Sequence, residues 1–441
     1  MGISSKDKNN VSQTRKQDME QKIQLRMEEE MGTLYQSDEK ARHTMSAGSR
    51  RVVMLVIALA VILLLSLCLL PYGIISGFFD GWTQGVHLPQ FTYSLAEYRE
   101  LVIYRINALV EFITAGGSVS FGAILCSVLV AVIAGYAMSV TGAVYQGLFQ
   151  NPMASPTTMG VNAGGTLGGL VYILFIYDAT AVGATYTSGT TVVSAVTGNE
   201  VIAWYYSMNI FQRSAQQLCI LAGCFLGVAI ILAISMAAGR GRISTVALLL
   251  AGSVFSTLIN ELGQLVQYYV STYGDETTAS AVNTLIGGSY IGETFAWSEL
   301  LLMAAPILVC SIVIFALAGK INIIVFGEAE ARAMGINVTR YRNALIVLCT
   351  ILSAVVLAFC GTVSMVGFLM PHFARYLVGP DFKKLVPASA FLGGITTLLV
   401  YDVCYMTAQL SRFNMYTGVV CSILSAFFII FYRRNRHADW S

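Results

Sequence analysis

Five polar side chains, Ser253, Ser256, Asn260, Gln264 and Gln267, recur at steps of three, four, four and three inside the apolar stretch STVALLLAGSVFSTLINELGQLVQYY. On a helix this spacing places them on one face, with Leu248, Leu249, Val254, Leu258, Leu262 and Leu265 on others. The set pairs no nucleophile with a base, so what it offers is hydrogen bonding along a line. Polar side chains inside a membrane span are costly towards lipid and face a bundle interior or water. Glu261 stands beside the line and is one of few charges at that depth. Such a wall, mostly neutral, suits a bulky polar cargo better than a bare ion. It would equally serve hydrogen bonding between helices with no passage between them.

Two further segments break the apolar pattern. In QGLFQNPMASPTTMGVNAGGTLGG, Gln146 to Gly169, Asn151-Pro152 and Ser155-Pro156 interrupt the chain between two apolar runs. A backbone break at membrane depth leaves N–H and C=O groups without partners, which only protein or a water-filled passage can supply. The break therefore reads either as a kinked connection lining or closing a pathway or as an ordinary turn. Gly160, Gly164, Gly165, Gly168 and Gly169 would let the next span pack closely on its neighbours. In KINIIVFGEAEARAMGINVTRYRN, Lys320 to Asn343, the residues Glu328, Glu330 and Arg332 mark a short alanine-rich helix from Glu328 to Met334, with Gly335 as its C-terminal cap. It reads as a docking surface for a soluble partner or as a solvated connector.

Catalytic chemistry is not expected. No Gly-x4-Gly-Lys-Ser/Thr phosphate loop occurs. Of four histidines only His372 lies among the spans, which excludes a His-rich metal site. All nine cysteines sit within apolar runs without a Cys-x-x-Cys pair and read as small buried apolar residues. No cofactor or metal is expected, and the net charge of +2 gives no pointer to nucleic acid.

The elements that position these residues are membrane helices. The chain has 441 residues, 56% of them hydrophobic and 11% charged, and its mean hydropathy is +0.68. Eighteen of the fifty charged residues fall in the polar tail 1–51. Within it TRKQDMEQKIQLRMEEEM could form a weak surface helix with a Met19, Ile23, Met27, Met31 stripe. Apolar runs long enough to cross lie near 52–70, 121–145, 158–177, 217–238, 245–270, 299–319, 343–362, 386–408 and 415–432, with a shorter one at 364–379. This predicts an all-α polytopic membrane protein of about ten spans, a membrane domain over 52–434 with a charged loop at about 320–343, and a short tail at 435–441. With the N-terminus inside, the inner segments collect most Lys and Arg, from Arg50 and Arg51 to Arg434 and Arg436. The outer segments hold only Arg99, Arg105, Arg213 and Arg412. That asymmetry places both termini in the cytoplasm. GAVYQGLFQNP (Gly142 to Pro152) and GTVSMVGFLMP (Gly361 to Pro371) echo one another at the ends of spans that run in opposite directions, the mark of an inverted repeat.

Read together, SVTGAVYQGLFQNPMASPTTMGVNAGG, GRISTVALLLAGS, LIGGSYIGETFAWSEL, INIIVFGEAEARAMGINVTRYRN and GTVSMVGFLMPHFARYLVGPDFKKLVPASAFLGG resemble, in order, the permease subunits of ABC importers for iron–siderophores, haem and cobalamin. The resemblance runs from about Gly122 to Arg434. It implies ten spans per subunit, a second permease copy or related chain around a central passage, an ABC ATPase dimer beneath, and an external substrate-binding protein. By position it makes Asn151 and Met153 an inner constriction and Ser244 and Thr245 the cytoplasmic gate. Gly327, Glu328, Glu330, Arg332, Met334 and Gly335 match the segment that couples to the ATPase, while His372 and Arg375 match a motif read as structural. Three departures stand out. The family's Arg-x-Pro-Arg element is replaced by Ile124, Leu125, Cys126 and Ser127. Asp402 to Met406 lacks its outer arginine, and the last span lacks its Gly-x-Pro turn. Docking of the binding protein then falls to other residues, with Arg105, Arg412 and the long outer loops 75–120 and 178–216 as candidates. The competing class is an ion-coupled transporter, which would need several deep carboxylates where only Glu261 and Asp402 are present.

Overall fold

The structure is a computed structural model describing residues 50–63, 65–66, 103, 119–176, 210–240, 245–274, 276–287, 297–406 and 413–434. The tail stripe at Met19–Met31, Arg105, Arg412 and Ser244 lie outside the described residues, as do nearly all of the loop 75–120 and most of 178–216. The chain divides into Met1–Val53 and Met54–Ser441. In the first unit the described residues, 50–53, are helical; the second unit opens with helical residues 54–63 and 65–66.

Among the described residues of the second unit every extended element is a helix, because long apolar stretches in lipid must satisfy their backbone groups internally. From Val119 onward they are α1 (Val119–Leu148), α2 (Val161–Val171, widening into a π-turn at Tyr172–Ile176), α3 (Ile210–Ala238), α4 (Thr245–Tyr273), α5 (Glu276–Gly287), α6 (Trp297–Phe326), α7 (Glu328–Ala333), α8 (Val338–Cys360), α9 (Val366–Val378), α10 (Phe382–Met406) and α11 (Phe413–Arg434). Among the described residues six helices are long and apolar enough to cross a membrane: α1, α3, α4, α6, α8 and α10. Two shorter apolar helices are Val161–Ile176 and Phe413–Ala426. The run 364–379 does not form a full span. It yields the 13 residues of α9, about 20 Å at 1.5 Å per residue, against a hydrocarbon core of about 30 Å.

α1 is the centre of the bundle. It packs against α6, α8, α9 and α10, and 72% of its apolar window is buried against 22% for α4. Glycines set how closely it is approached. A Cβ on Gly142 would lie 1.6 Å from the Gly367 carbonyl oxygen of α9, and one on Gly135 2.3 Å from the Gly393 oxygen of α10. The glycines of α2 behave as expected: added Cβ atoms on Gly164 and Gly168 would meet the carbonyl oxygens of Gly223 and Cys219 on α3 at 2.3 and 2.1 Å. Close backbone contact replaces side-chain interdigitation at these crossings. The described cysteines are all free, and all but Cys219 are buried.

α1 and α8 run antiparallel. Gln150, just past the end of α1, donates to the carbonyls of Ile324 and Val325, and Ile324 packs on Ala331 and Val338 at the start of α8. The break after α1 (149–160) and the break after α8 (361–365) therefore open at opposite ends of the bundle. The echoing segments differ in register: Gly142 lies within α1, whereas Gly361 follows α8. The first of them nevertheless meets the start of α9 and the residue just past the second. Gly142 abuts Gly367, Gln146 Nε2 donates to the Phe368 carbonyl at 3.0 Å, and His372 Nε2 lies 3.1 Å from the Pro152 carbonyl oxygen.

Overpacking this seam should be severe. Gly142→Val is expected to cost about 3 kcal/mol or more, read as a lowered unfolding temperature of the detergent-solubilised protein by exposure of its buried cysteines. Gly418→Ala, whose Cβ would meet nothing closer than 3.8 Å, should be close to neutral.

Candidate functional site

The break after α1 is held by its own side chains. Asn151 Oδ1 accepts the Met153 N–H at 2.8 Å. The Ser155 N–H donates to Thr158 Oγ1 at 2.8 Å and the Thr158 N–H to Ser155 Oγ at 3.3 Å, a reciprocal pair that closes the turn leading into α2. Gly160 then takes φ +71°, a left-handed conformation that glycine adopts without strain. Asn151 and Met153 thus share one ordered turn, with Met153 projecting at 55% exposure. Thr245 opens α4; Gly252 and Ser256, two to three turns further, press on the same break. A Cβ on Gly252 would lie 1.7 Å from the Thr158 oxygen, and Ser256 Oγ donates to the Thr157 carbonyl at 3.1 Å.

α4 is the least buried of the long helices. Leu248, Ile259 and Val270 are buried, as are Gly252 and Gly263, and these form its packed face. At about 100° per residue the polar stripe is centred about 90° around the helix from that face. Ser253, Asn260 and Gln264 are exposed, while Ser256 and Gln267 are half-buried. Ser253 Oγ turns back to the Leu250 carbonyl of its own helix at 2.9 Å. Val254, Leu258, Leu262 and Leu265 are also exposed, about 150° from the stripe. The stripe lies outside the interior of the single chain, on a flank between its packed face and an apolar one.

The charged loop after α6 folds as a built unit. α7 covers Glu328–Ala333. Gly327 precedes it at φ +155° and ψ +144°, and a Cβ there would meet Glu330 Oε2 at 1.9 Å. Gly335, at φ +80°, and Ile336 close the other end, their N–H groups donating to the Arg332 and Ala331 carbonyls at 3.0 Å each. Asn337 caps α8 by accepting the Arg340 N–H at 3.1 Å. Ala331 is buried in a small cluster with Ile324 and Val338, while Phe326 and Met334 project at 85% and 59% exposure.

Residues 104–434 match the FecCD transport family. The chain belongs to that family. Its relatives include the molybdate import system permease protein MolB of Haemophilus influenzae, 26% identical over 79% of this chain and 90% of the relative. The cobalamin import system permease protein BtuC of Halobacterium salinarum is 27% identical over 68% and 69%. The hemin transport system permease protein HmuU of Yersinia pestis is 28% identical over 67% and 77%. The fold resembles a solved ABC transporter assigned to the metal-chelate type, in an inward-facing conformation. The TM-score is 0.61 with 22% identity, covering 87% of this chain and 99% of that one.

As a FecCD chain it is an all-α, multi-pass membrane permease. Its departures from the family pattern have a structural counterpart: Cys126 and Ser127 are buried within α1, and Asp402 is buried on α10, accepting the Ser66 hydroxyl. Cys126, Ser127 and Asp402 therefore offer no docking surface. Sequence reasoning missed two contact residues, Gln146 and Gln150, whose partners lie more than 170 positions away. It took His372 as structural without finding its contact with Pro152.

If the flank of α4 borders water, Asn260→Cys and Gln264→Cys, in a chain otherwise free of cysteine, should react with a membrane-impermeant maleimide in at least one nucleotide state of the assembled transporter. Leu258→Cys should stay protected; equal protection at all three would make the stripe a packing seam.

Proposed function

We propose that this chain is the permease subunit of an ATP-driven importer carrying an iron–siderophore or related metal chelate inward across the cell membrane. The observation that carries the reading is the exposed stripe of Ser253, Asn260 and Gln264 on the least buried long helix. Hydrogen-bonding groups on the outside of a membrane chain are stable only against water or protein. A second permease copy, or a related chain, facing α4 would turn that flank into one wall of a hydrated passage. Both termini then lie in the cytoplasm, as the distribution of Lys and Arg favours. The Asn151–Met153 turn and the start of α4 at Thr245, with Ser244 before it, form the inner gate.

The composition of the wall supports a chelate cargo. α4 carries no Lys or Arg between Thr245 and Tyr273, so a small oxyanion such as the molybdate named for MolB would find no fixed cation there. Neutral hydroxyl and amide groups suit a large chelate whose charge is internally compensated. Ion coupling has little support: Glu261 is exposed and Asp402 is bound to Ser66.

ATP is hydrolysed by a separate ATPase dimer docked at α7, with Phe326 and Met334 beside it as exposed apolar contacts. ATP binding draws the two ATPases together, displaces α7 and shifts the gate between two states. A substrate-binding protein delivers cargo at the opposite end, engaging residues such as Arg105 and Arg412 in place of the missing arginines.

Replacing Glu328–Arg332 by a Gly-Ser linker should reduce cargo-stimulated ATP hydrolysis of the reconstituted complex by more than about tenfold, the weight of roughly 1.4 kcal/mol of coupling, while the permease still purifies as a folded protein. Unchanged stimulation would overturn the docking assignment. Uptake by the intact complex should persist when the proton gradient is collapsed and cease with an inactive ATPase; the reverse would favour ion coupling.

A further inference from the structure

Between α7 and the Asn151–Met153 turn stands one residue that no functional reading so far uses. Gln150 Nε2 lies 3.3 Å from the Ile324 oxygen and 3.1 Å from the Val325 oxygen. These carbonyls belong to the last turn of α6, immediately before Gly327 and α7. A helix C-terminus carries acceptors with no intrahelical donor, so a side-chain amide there caps α6 as well as bridging to it. Ile324 is bound to the coupling segment on its other side: its oxygen also accepts the Gly327 N–H at 3.3 Å, and its side chain packs on Ala331 of α7.

At its own end Gln150 is fixed in the backbone of the break. Its φ is +48°, a left-handed conformation uncommon outside glycine and asparagine. Its N–H donates to the Gly147 carbonyl at 3.2 Å, and the next residue, Asn151, donates to the Gln146 carbonyl at 3.0 Å. Gly147 is wedged against Phe382 and Ile321, where a Cβ would come within 2.4 Å and 3.1 Å of their side chains. The backbone that presents Gln150 is therefore continuous with the turn holding Asn151 and Met153, and its amide grips the carbonyls that lead into α7.

We propose that Gln150 is a positioning residue: the strut through which displacement of α7 is passed to the Asn151–Met153 turn. The proposal rests on the reading of α7 as the ATPase-facing segment and of that turn as the inner gate. A residue merely stabilising the turn would act through its backbone conformation. A strut acts through a donor long enough to reach Ile324 and Val325.

The test uses the whole complex of permease, ATPase and binding protein in vesicles, with Met153→Cys as reporter in a background lacking native cysteines. The probe is a water-soluble maleimide, and its reaction rate is compared without nucleotide and with a non-hydrolysable ATP analogue. With Gln150 present the two rates should differ by about fivefold, the weight of one hydrogen bond. Gln150→Ala and Gln150→Gly should both abolish the difference while ATP hydrolysis continues. The glycine variant adopts the left-handed backbone without strain, so its loss of response points to the missing donor rather than to a strained turn. Gln150→Lys, which restores a long donor and places a cation at a helix C-terminus, should restore it. A nucleotide response that survives in Gln150→Ala overturns the strut alone, as does a glycine variant that responds normally. No response even with Gln150 present overturns the gate reading, and the strut with it.

Discussion

Everything in this bundle depends on how two interruptions of the backbone find their hydrogen-bond partners. Lipid tolerates neither a free N–H nor a free C=O, so a chain that breaks its helices must supply partners locally or from a neighbour. Both means are used here. Asn151, Ser155 and Thr158 bond within their own turn, and after α8 the Val366 N–H donates to the Ser364 carbonyl at 2.8 Å. The remaining groups are met across the molecule, where Gln146 reaches Phe368 and His372 reaches Pro152. The end of α1 and the first break are thus met from α9, the helix that follows the second break, and the glycine pair at 142 and 367 is what permits the approach.

That mutual dependence organises the rest. The helices that touch the seam, α1, α8, α9 and α10, form the well-buried part of the chain, and α1 is its axis. α4 reaches the first break through Gly252 and Ser256 and otherwise stands at the margin. Among the described long helices burial is lowest in α4, and the polar stripe lies there. A fixed centre beside an incompletely covered helix suits a subunit that completes its structure by assembling with others.

Much of this was legible in the amino-acid order because the signals were local. Apolar length marked the helices, and the run of glycines from 160 to 169 announced the close crossing of α2 and α3. The alternation of Glu and Ala before Gly335 located α7 and its cap to within a residue. What stayed hidden was relational. Periodicity places Ser253, Asn260 and Gln264 on one face but cannot say whether that face looks into the chain or out of it; only the buried glycines at 252 and 263 decide that. Hydropathy averaged over 364–379 passes for a span because it cannot register the left-handed Met365, after which α9 runs for only 13 residues. The echo of Gly142–Pro152 in Gly361–Pro371 was visible, yet not that the two segments lie against each other in shifted register.

The three-sided character of α4 constrains any assembly further than polarity alone. Its packed face is occupied by its own chain, and its stripe requires water or protein. Its third face, with Val254, Leu258, Leu262 and Leu265, requires lipid or another apolar surface. Leu250 and Tyr268 lie between the last two and are themselves exposed. Water held along the stripe would otherwise meet lipid at that border, so a partner that encloses the stripe must also cover Leu250 and Tyr268. The same border carries the exposed Thr257 and Glu261, so its edge mixes apolar and polar groups. Within the stripe, the Ser253 and Ser256 hydroxyls bond to carbonyls of the chain, while Asn260 and Gln264 stay exposed, so these two amides are the groups that such a partner, or the water it encloses, has to satisfy.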